Sequence, residues 1–158
     1  HPDVLERLRV PQRCGLVQLT SAFPRRAPLV AVPTTLGTGA EASPVATVEV
    51  GDAKRLVLGS QLRPDAYAHD DDLTASLPAP LVVDGAFEAF LRIVGPYVGS
   101  PADHPVADGI VLSLARTCWG LAEEAHAAGL AGRAVPAELR LAIATASAVG
   151  HSDLLRRT

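Results

Sequence analysis

The sequence predicts an α/β segment followed by an all-helical one, and two observations carry that reading. In the first half, apolar residues come in short runs bounded by Gly, Pro and Asp; from Pro78 onward Ala, Leu and Val recur at the spacing of amphipathic helices. The first of the apolar runs ends in Pro33-Thr34-Thr35-Leu36-Gly37-Thr38-Gly39, which sets hydroxyls and glycines where the carboxyl edge of an open α/β sheet presents its ligand-binding turns. Strands that hand over to helices describe an α/β domain joined to an all-α domain.

Taken in order, Leu29-Val30-Ala31-Val32 is apolar and ended by Pro33, long enough for a buried strand and too short for a helix. Residues 45–50 form the next candidate strand, closed by the turn Gly51-Asp52. Residues 54–59 and 65–68 make two more, separated by the breaker Arg63-Pro64. Beyond Pro78, Phe87, Phe90, Leu91 and Val94 fall on an i, i+3, i+4, i+7 stripe, predicting a helix closed by Gly95-Pro96. A longer helix is expected over residues 102–128, with Ile110, Leu114, Cys118 and Leu121 facing inward and Gly129 at its end. A third begins after Pro136 and carries Leu139, Ile143 and Ala146. No internal repeat is evident.

Composition narrows the function. With 48% hydrophobic and 20% charged residues the chain reads as globular, and no apolar run approaches the roughly 20 residues that span a bilayer. A net charge of -3 gives no attraction for DNA, RNA or anionic lipid, so neither nucleic acid nor a membrane is an expected partner. Cys14 and Cys118 lie far apart, without the spacing of a zinc site or the density of a disulfide scaffold, and suggest a reducing cytoplasm. Lys54 is the only lysine among 14 basic residues; with the Ala, Pro and Val bias this points to a GC-rich bacterial genome. The chain opens on His1 and contains no Met, so a piece of a longer protein is expected.

The turn after the first strand is the most informative stretch. Its hydroxyls and exposed backbone N–H groups suit a phosphorylated ligand, and an ordinary Thr- and Gly-rich loop is the alternative. The full run Pro33-Thr34-Thr35-Leu36-Gly37-Thr38-Gly39-Ala40-Glu41 resembles the Pro-Thr-Thr-x-Gly-Thr-Gly-Ser-Glu signature of the iron-containing alcohol dehydrogenases, with Ala40 in place of serine. The likeness continues in order through Lys54, Leu62-Arg63-Pro64, Asp70, Leu73-Thr74, Leu77-Pro78 and a helix starting near Gly85.

This resemblance implies the dehydroquinate synthase-like fold. Residues 1–77 would be the end of a Rossmann-like dinucleotide-binding domain and residues 78–158 the start of a helical, normally metal-binding domain. It further implies NAD or NADP as cofactor, with Thr34, Thr35, Gly37 and Thr38 lining the pocket and Lys54 facing it. Read without the resemblance, Lys54 is the solvated start of a strand.

In that family the first helix of the helical domain carries an Asp and, four residues later, a His, so that both sit on one face and grip a divalent ion. Counting from Pro78 puts Glu88 and Arg92 at these places. Arginine has no lone pair to donate. An i, i+4 ion pair is therefore expected instead of a metal site, with Arg92 as the candidate catalytic residue, a cation near the substrate oxygen. The family's further ligands are histidines beyond the small-residue helix resembled by residues 142–150, and neither they nor the family's Gly-rich phosphate turn occurs in this chain. His69-Asp70-Asp71-Asp72 reads as a helix start, His104 and His126 lack ligand-spaced partners, and Trp119 reads as core.

The expected function is that of an NAD(P)-dependent alcohol or aldehyde dehydrogenase, metal-independent or with an altered metal site. Its substrate would be a small-molecule alcohol or carbonyl compound or a peptide, in bacterial natural-product biosynthesis, and the protein a cytoplasmic homo-oligomer. The alternative is a catalytically degenerate relative kept as a binding or scaffolding subunit.

Overall fold

The structure, a computed structural model, describes residues 16–18, 25–99 and 105–150. Cys14, His104 and the expected helix start at residue 102 lie outside them. In chain order the strands are β1 (Leu16–Gln18), β2 (Val30–Ala31), β3 (Val45–Val50), β4 (Ala53–Leu58) and β5 (Ala66–Tyr67). The helices are α1 (Asp71–Thr74), α2 (Ala79–Gly99), α3 (Pro105–Leu130) and α4 (Ala137–Gly150). The switch from strands to helices thus falls between Tyr67 and Asp71.

β3 and β4 form an antiparallel hairpin paired from Val45↔Leu58 to Val50↔Ala53, leaving Gly51-Asp52 as the two-residue turn. β1 joins the other edge of β4 in parallel, so the sheet order is β1-β4-β3. Alternation along the hairpin turns Val57 inward onto Val17, with Val48, Val50 and Leu62 packed around them. β2 and β5 make a separate parallel pair. The Leu29 amide donates to Asp65 Oδ2 at 2.8 Å, and Arg25 Nη2 lies 2.5 Å from the same oxygen. These contacts, the Leu29 amide first, hold the Asp65 carboxyl below its ordinary value.

The strand expected to be buried at residues 29–32 is instead exposed, with Val30 61% accessible. Parallel strands are buried where helices cover both faces; among the described residues β2 lies beside β5 alone, over two residues.

The helical half is held by two apolar clusters. Val82, Ala86, Ala122, Ala125, Leu139 and Ile143 make the first, together with Leu36 from the turn after β2. Ala89, Ile93, Val111, Ala115, Cys118 and Ala146 make the second. Burial pushes the Cys118 thiol up to about 11, so this side chain packs as an un-ionised group.

Four expectations about the helices are corrected. α2 starts at Ala79 rather than near Gly85, since Pro80 in a first turn costs no intrahelical bond. It is also not closed at Gly95-Pro96 but runs on to Gly99. A proline forfeits one backbone bond and crowds the preceding turn, but Ile93 and Tyr97 pack against α3 on either side of it and carry the helix through.

In α3 the buried stripe is Ala107, Val111, Ala115, Cys118, Ala122, Ala125 and Ala128, whereas Ile110, Leu114 and Leu121 only flank it. Small residues face inward because the helices lie close, and the larger ones seal the edges. Its end is set by Gly132 rather than Gly129. Gly132 adopts φ 64°, Arg133 N donates to Ala128 O and Gly132 N to Gly129 O, the paired bonds of a Schellman cap.

Trp119 is 48% accessible rather than core. Its ring meets Phe87 and Phe90 edge-on at 5.6 and 5.8 Å, and its indole N–H donates to Glu123 at 2.9 Å.

The two halves meet at two glycines. Gly37 sits in the turn with φ 90°, and a Cβ there would lie 2.0 Å from the carbonyl oxygen of Gly85 in α2. In return, a Cβ on Gly85 would meet the Leu36 carbonyl oxygen at 2.9 Å. Backbone thus touches backbone, and neither side has room for a methyl group.

Gly37→Ala is expected to cost about 2–4 kcal/mol, from left-handed strain plus overpacking against a backbone that cannot yield. Gly85→Ala should cost about 1–3 kcal/mol. Gly95→Ala on the same helix, where nothing lies within 4 Å, should stabilise by about 0.5–1 kcal/mol. Urea midpoints of the three variants test the contact; equal effects at positions 85 and 95 would remove it.

Candidate functional site

The turn that follows β2 owes its display to that close approach. Leu36 is drawn into the helical core, which leaves Thr34 and Thr35 on the outside with their hydroxyls accessible. Thr38 is half-buried, and its hydroxyl accepts the Ala40 amide at 3.3 Å. After Gly39 the chain makes a 3-10 turn, Ala40–Ala42, that buries the Glu41 carboxylate.

Glu41 meets His69 across the fold, Nε2 to Oε1 at 3.1 Å, with only 12% of the histidine side chain exposed. Tyr67 tilts against the same imidazole at 5.3 Å. The acids that follow serve the helix start, as expected: Asp70 is the N-cap of α1, accepting the Asp72 amide at 3.0 Å. His69 itself is not part of that cap but a tie between the turn and the segment before α1.

Beneath these residues lies Arg140, in the first turn and a half of α4 and 7% exposed. Its Nε donates to Thr74 Oγ1 at 3.0 Å, its Nη1 to the Val135 carbonyl at 2.5 Å and its Nη2 to the Asp71 carbonyl at 3.1 Å. A narrow cleft is lined by Thr35, His69, Asp70, Asp71, Thr74 and Arg140 among others, so turn, α1 and α4 converge on one place.

Sequence reasoning missed both Glu41–His69 and Arg140. The first had a signal, the closing Glu of the signature run. The second had one in register: Arg140 falls beside Leu139 and Ile143 on the face of α4 that turns inward.

Of the expected site residues, Thr35 lines the cleft, and Thr34, Gly37 and Thr38 belong to the same turn. Lys54 does not join them. It stands on β4 with its side chain 76% exposed, 3.8 Å from Glu49 across the hairpin. Arg92 is separate as well, on the exposed side of α2. Its Nε and Nη2 donate to Glu88 Oε1 at 3.0 and 2.6 Å, the i, i+4 ion pair that the spacing predicts.

That geometry also tests the pair as metal ligands, and it does not fit. The one carboxylate available is engaged by a guanidinium that stays protonated and offers no donor atom. A cation brought to Glu88 would meet the positive charge of Arg92.

A double-mutant cycle with Glu88→Gln and Arg92→Met should give a coupling of about 0.3–0.5 kcal/mol, since both side chains are some two-fifths exposed. It should shrink in about 1 M NaCl. Strong, salt-insensitive coupling would mean that the pair is desolvated.

No family model matches the chain. It is 37% identical over 102 residues to the 4-hydroxybutyrate dehydrogenase of Cupriavidus necator, covering 64% of this chain and 26% of that protein. The chain therefore spans about a quarter of the length of this curated relative. Its fold matches that of NADH-dependent butanol dehydrogenase A from Thermotoga maritima with a TM-score of 0.69 at 22% identity, over 81% of this chain and 31% of that one. Sulfoacetaldehyde reductase from Bifidobacterium kashiwanohense, solved in complex with NAD+, gives 0.65 at 20% identity over 80% and 33%. Further structures of this fold are iron-containing alcohol dehydrogenases. Curated relative and structural neighbours alike point to the iron-containing alcohol dehydrogenase family, of whose fold this chain forms part.

Proposed function

We propose, from this shared fold, that the chain is part of an NAD(P)-dependent oxidoreductase acting on an alcohol or carbonyl group, with the turn after β2 as part of its cofactor site. The observation that carries the reading is the displayed turn itself: Thr34 and Thr35 exposed, backed by a core residue and locked on α2 by the Gly37–Gly85 contact. Thr34, Thr35, Gly37 and Thr38 would hold the dinucleotide through hydroxyls and backbone amides, with Lys54, apart from the turn on β4, adding no more than long-range charge. When bound, the nicotinamide supplies the hydride acceptor or donor. In this reading residues 1–77 close the dinucleotide-binding domain and residues 78–158 open the helical one.

The chemistry at the substrate oxygen is proposed to be metal-independent. Arg92 spends two N–H groups on Glu88, which leaves three of its five donors for a developing alkoxide. Glu88 would hold the guanidinium along α2 through these two bonds. The substrate would be a small alcohol or aldehyde or a peptide-borne carbonyl, in bacterial natural-product biosynthesis, and the protein a cytoplasmic homo-oligomer. One observation favours a second reading, a binding or scaffolding subunit: the charge of Arg92 is already matched by Glu88.

NADH titrated into the protein should give saturable nicotinamide fluorescence. Thr35→Val should weaken it about tenfold, the loss of one polar contact of roughly 1.4 kcal/mol, whereas Lys54→Met, apart from the turn, should leave it little changed. Purified without chelator, the protein should hold far less than one equivalent of iron or zinc, and EDTA should leave turnover unchanged. Glu88→Asp combined with Arg92→His should raise its metal content. Stoichiometric metal lost together with activity would overturn metal independence, absence of any NADH signal would overturn the cofactor site, and NADH binding without turnover of any alcohol or aldehyde would favour the scaffold.

A further inference from the structure

We propose that the cleft at Arg140 is an anion-binding site that takes phosphate or carboxylate oxygens. Arg140 is the most deeply placed cation in the described part of the molecule, and each of its acceptors is neutral: a threonine hydroxyl and two backbone carbonyls. Among the described residues no carboxylate forms an ion pair with it. A guanidinium carries five N–H groups; three are spent, which leaves two. A buried charge without a counter-charge is unfavourable, and this one is more so because it stands near the N-terminus of α4, where the aligned peptide dipoles already create positive potential. An anion in the cleft relieves both.

The lining suits an oxyanion. Thr35 offers a hydroxyl from the solvent side, Thr74 and Arg140 close the floor, and His69 is fixed at the wall by Glu41. The cleft, about 10 Å³, admits a single ligand oxygen rather than a ring. Asp70 and Asp71 also line it and oppose an anion. Asp70 is partly offset by the Asp72 amide that it accepts, and among the described residues no ion pair joins either carboxylate to the guanidinium. The site should therefore discriminate by geometry, favouring a tetrahedral or planar oxyanion over chloride.

This site shares Thr35 with the proposed cofactor turn but is carried by Arg140, and the experiment separates the two. Sodium phosphate is titrated into the protein at ionic strength held constant with NaCl, following Tm and, in parallel, heat of binding. The expected result is a saturable rise in Tm with phosphate that chloride does not reproduce. Arg140→Met should lose at least about tenfold in phosphate affinity, the value of one charge-assisted contact, with Arg140→Lys retaining part of it. Since Arg140 is buried and its variants could unfold, Thr35→Val at the accessible rim provides a second measure and should weaken phosphate without lowering Tm in its absence. Repeating the titration with NADH present identifies the source: competition assigns the anion to the dinucleotide phosphates, and independent binding assigns it to a free phosphate or an acidic substrate. A wild-type protein that responds to phosphate no more than to chloride overturns the proposal, whether or not NADH binds. So does phosphate affinity left intact in both Arg140→Met and Thr35→Val.

Discussion

The backbone contact between Gly37 and Gly85 is the constraint from which the rest of the arrangement follows. A loop rich in threonine and glycine would by itself sample many conformations, and the entropy of ordering it is substantial. Here the ordering is done by shape: the turn presses its main chain onto α2, where no Cβ intervenes on either side, and sends Leu36 into the helical core. Thr34 and Thr35, which precede Leu36, stay exposed because the residue that follows them is anchored inward. The positions of Thr34 and Thr35 are consequences of packing several residues away rather than of their own bonds.

Two arginines then show how surroundings decide what a guanidinium does. Arg92 lies on an accessible helix face, one turn from Glu88, and its charge is matched in a solvated pair of small energy. Arg140 lies under the turn and, among the described residues, is matched only by dipoles: the Thr74 hydroxyl and the carbonyls of Asp71 and Val135. The first is electrostatically satisfied within the helix that carries it. The second joins three segments of chain, and with the Glu41–His69 contact above it makes the cleft a junction of polar ties rather than an apolar pocket.

Much of this was legible from the sequence wherever local rules dominate. The hairpin follows from alternating residues on either side of Gly51-Asp52, α4 from apolar spacing after Pro136, and the Glu88–Arg92 pair from an i, i+4 offset. The signature run marked the turn that the structure displays. Legibility failed where tertiary packing overrides local preference: Pro96 stays inside a helix because side chains on both sides of it are held, and alanines rather than leucines line α3 because the helices approach closely. The polar ties were illegible for a different reason. Glu41–His69 spans 28 positions and Arg140–Thr74 spans 66, and no periodicity reports a contact between residues so far apart.

The aromatic contact on the outer face has an optical consequence. Trp119 is the only tryptophan of the chain, wedged edge-on to Phe87 and Phe90 with its indole N–H on Glu123. Emission excited selectively through indole therefore comes from a single place, the seam between α2 and α3. Half in water, half against rings, it will shift to longer wavelength when those helices separate. The molecule thus carries its own spectral label for the cohesion of its helical half.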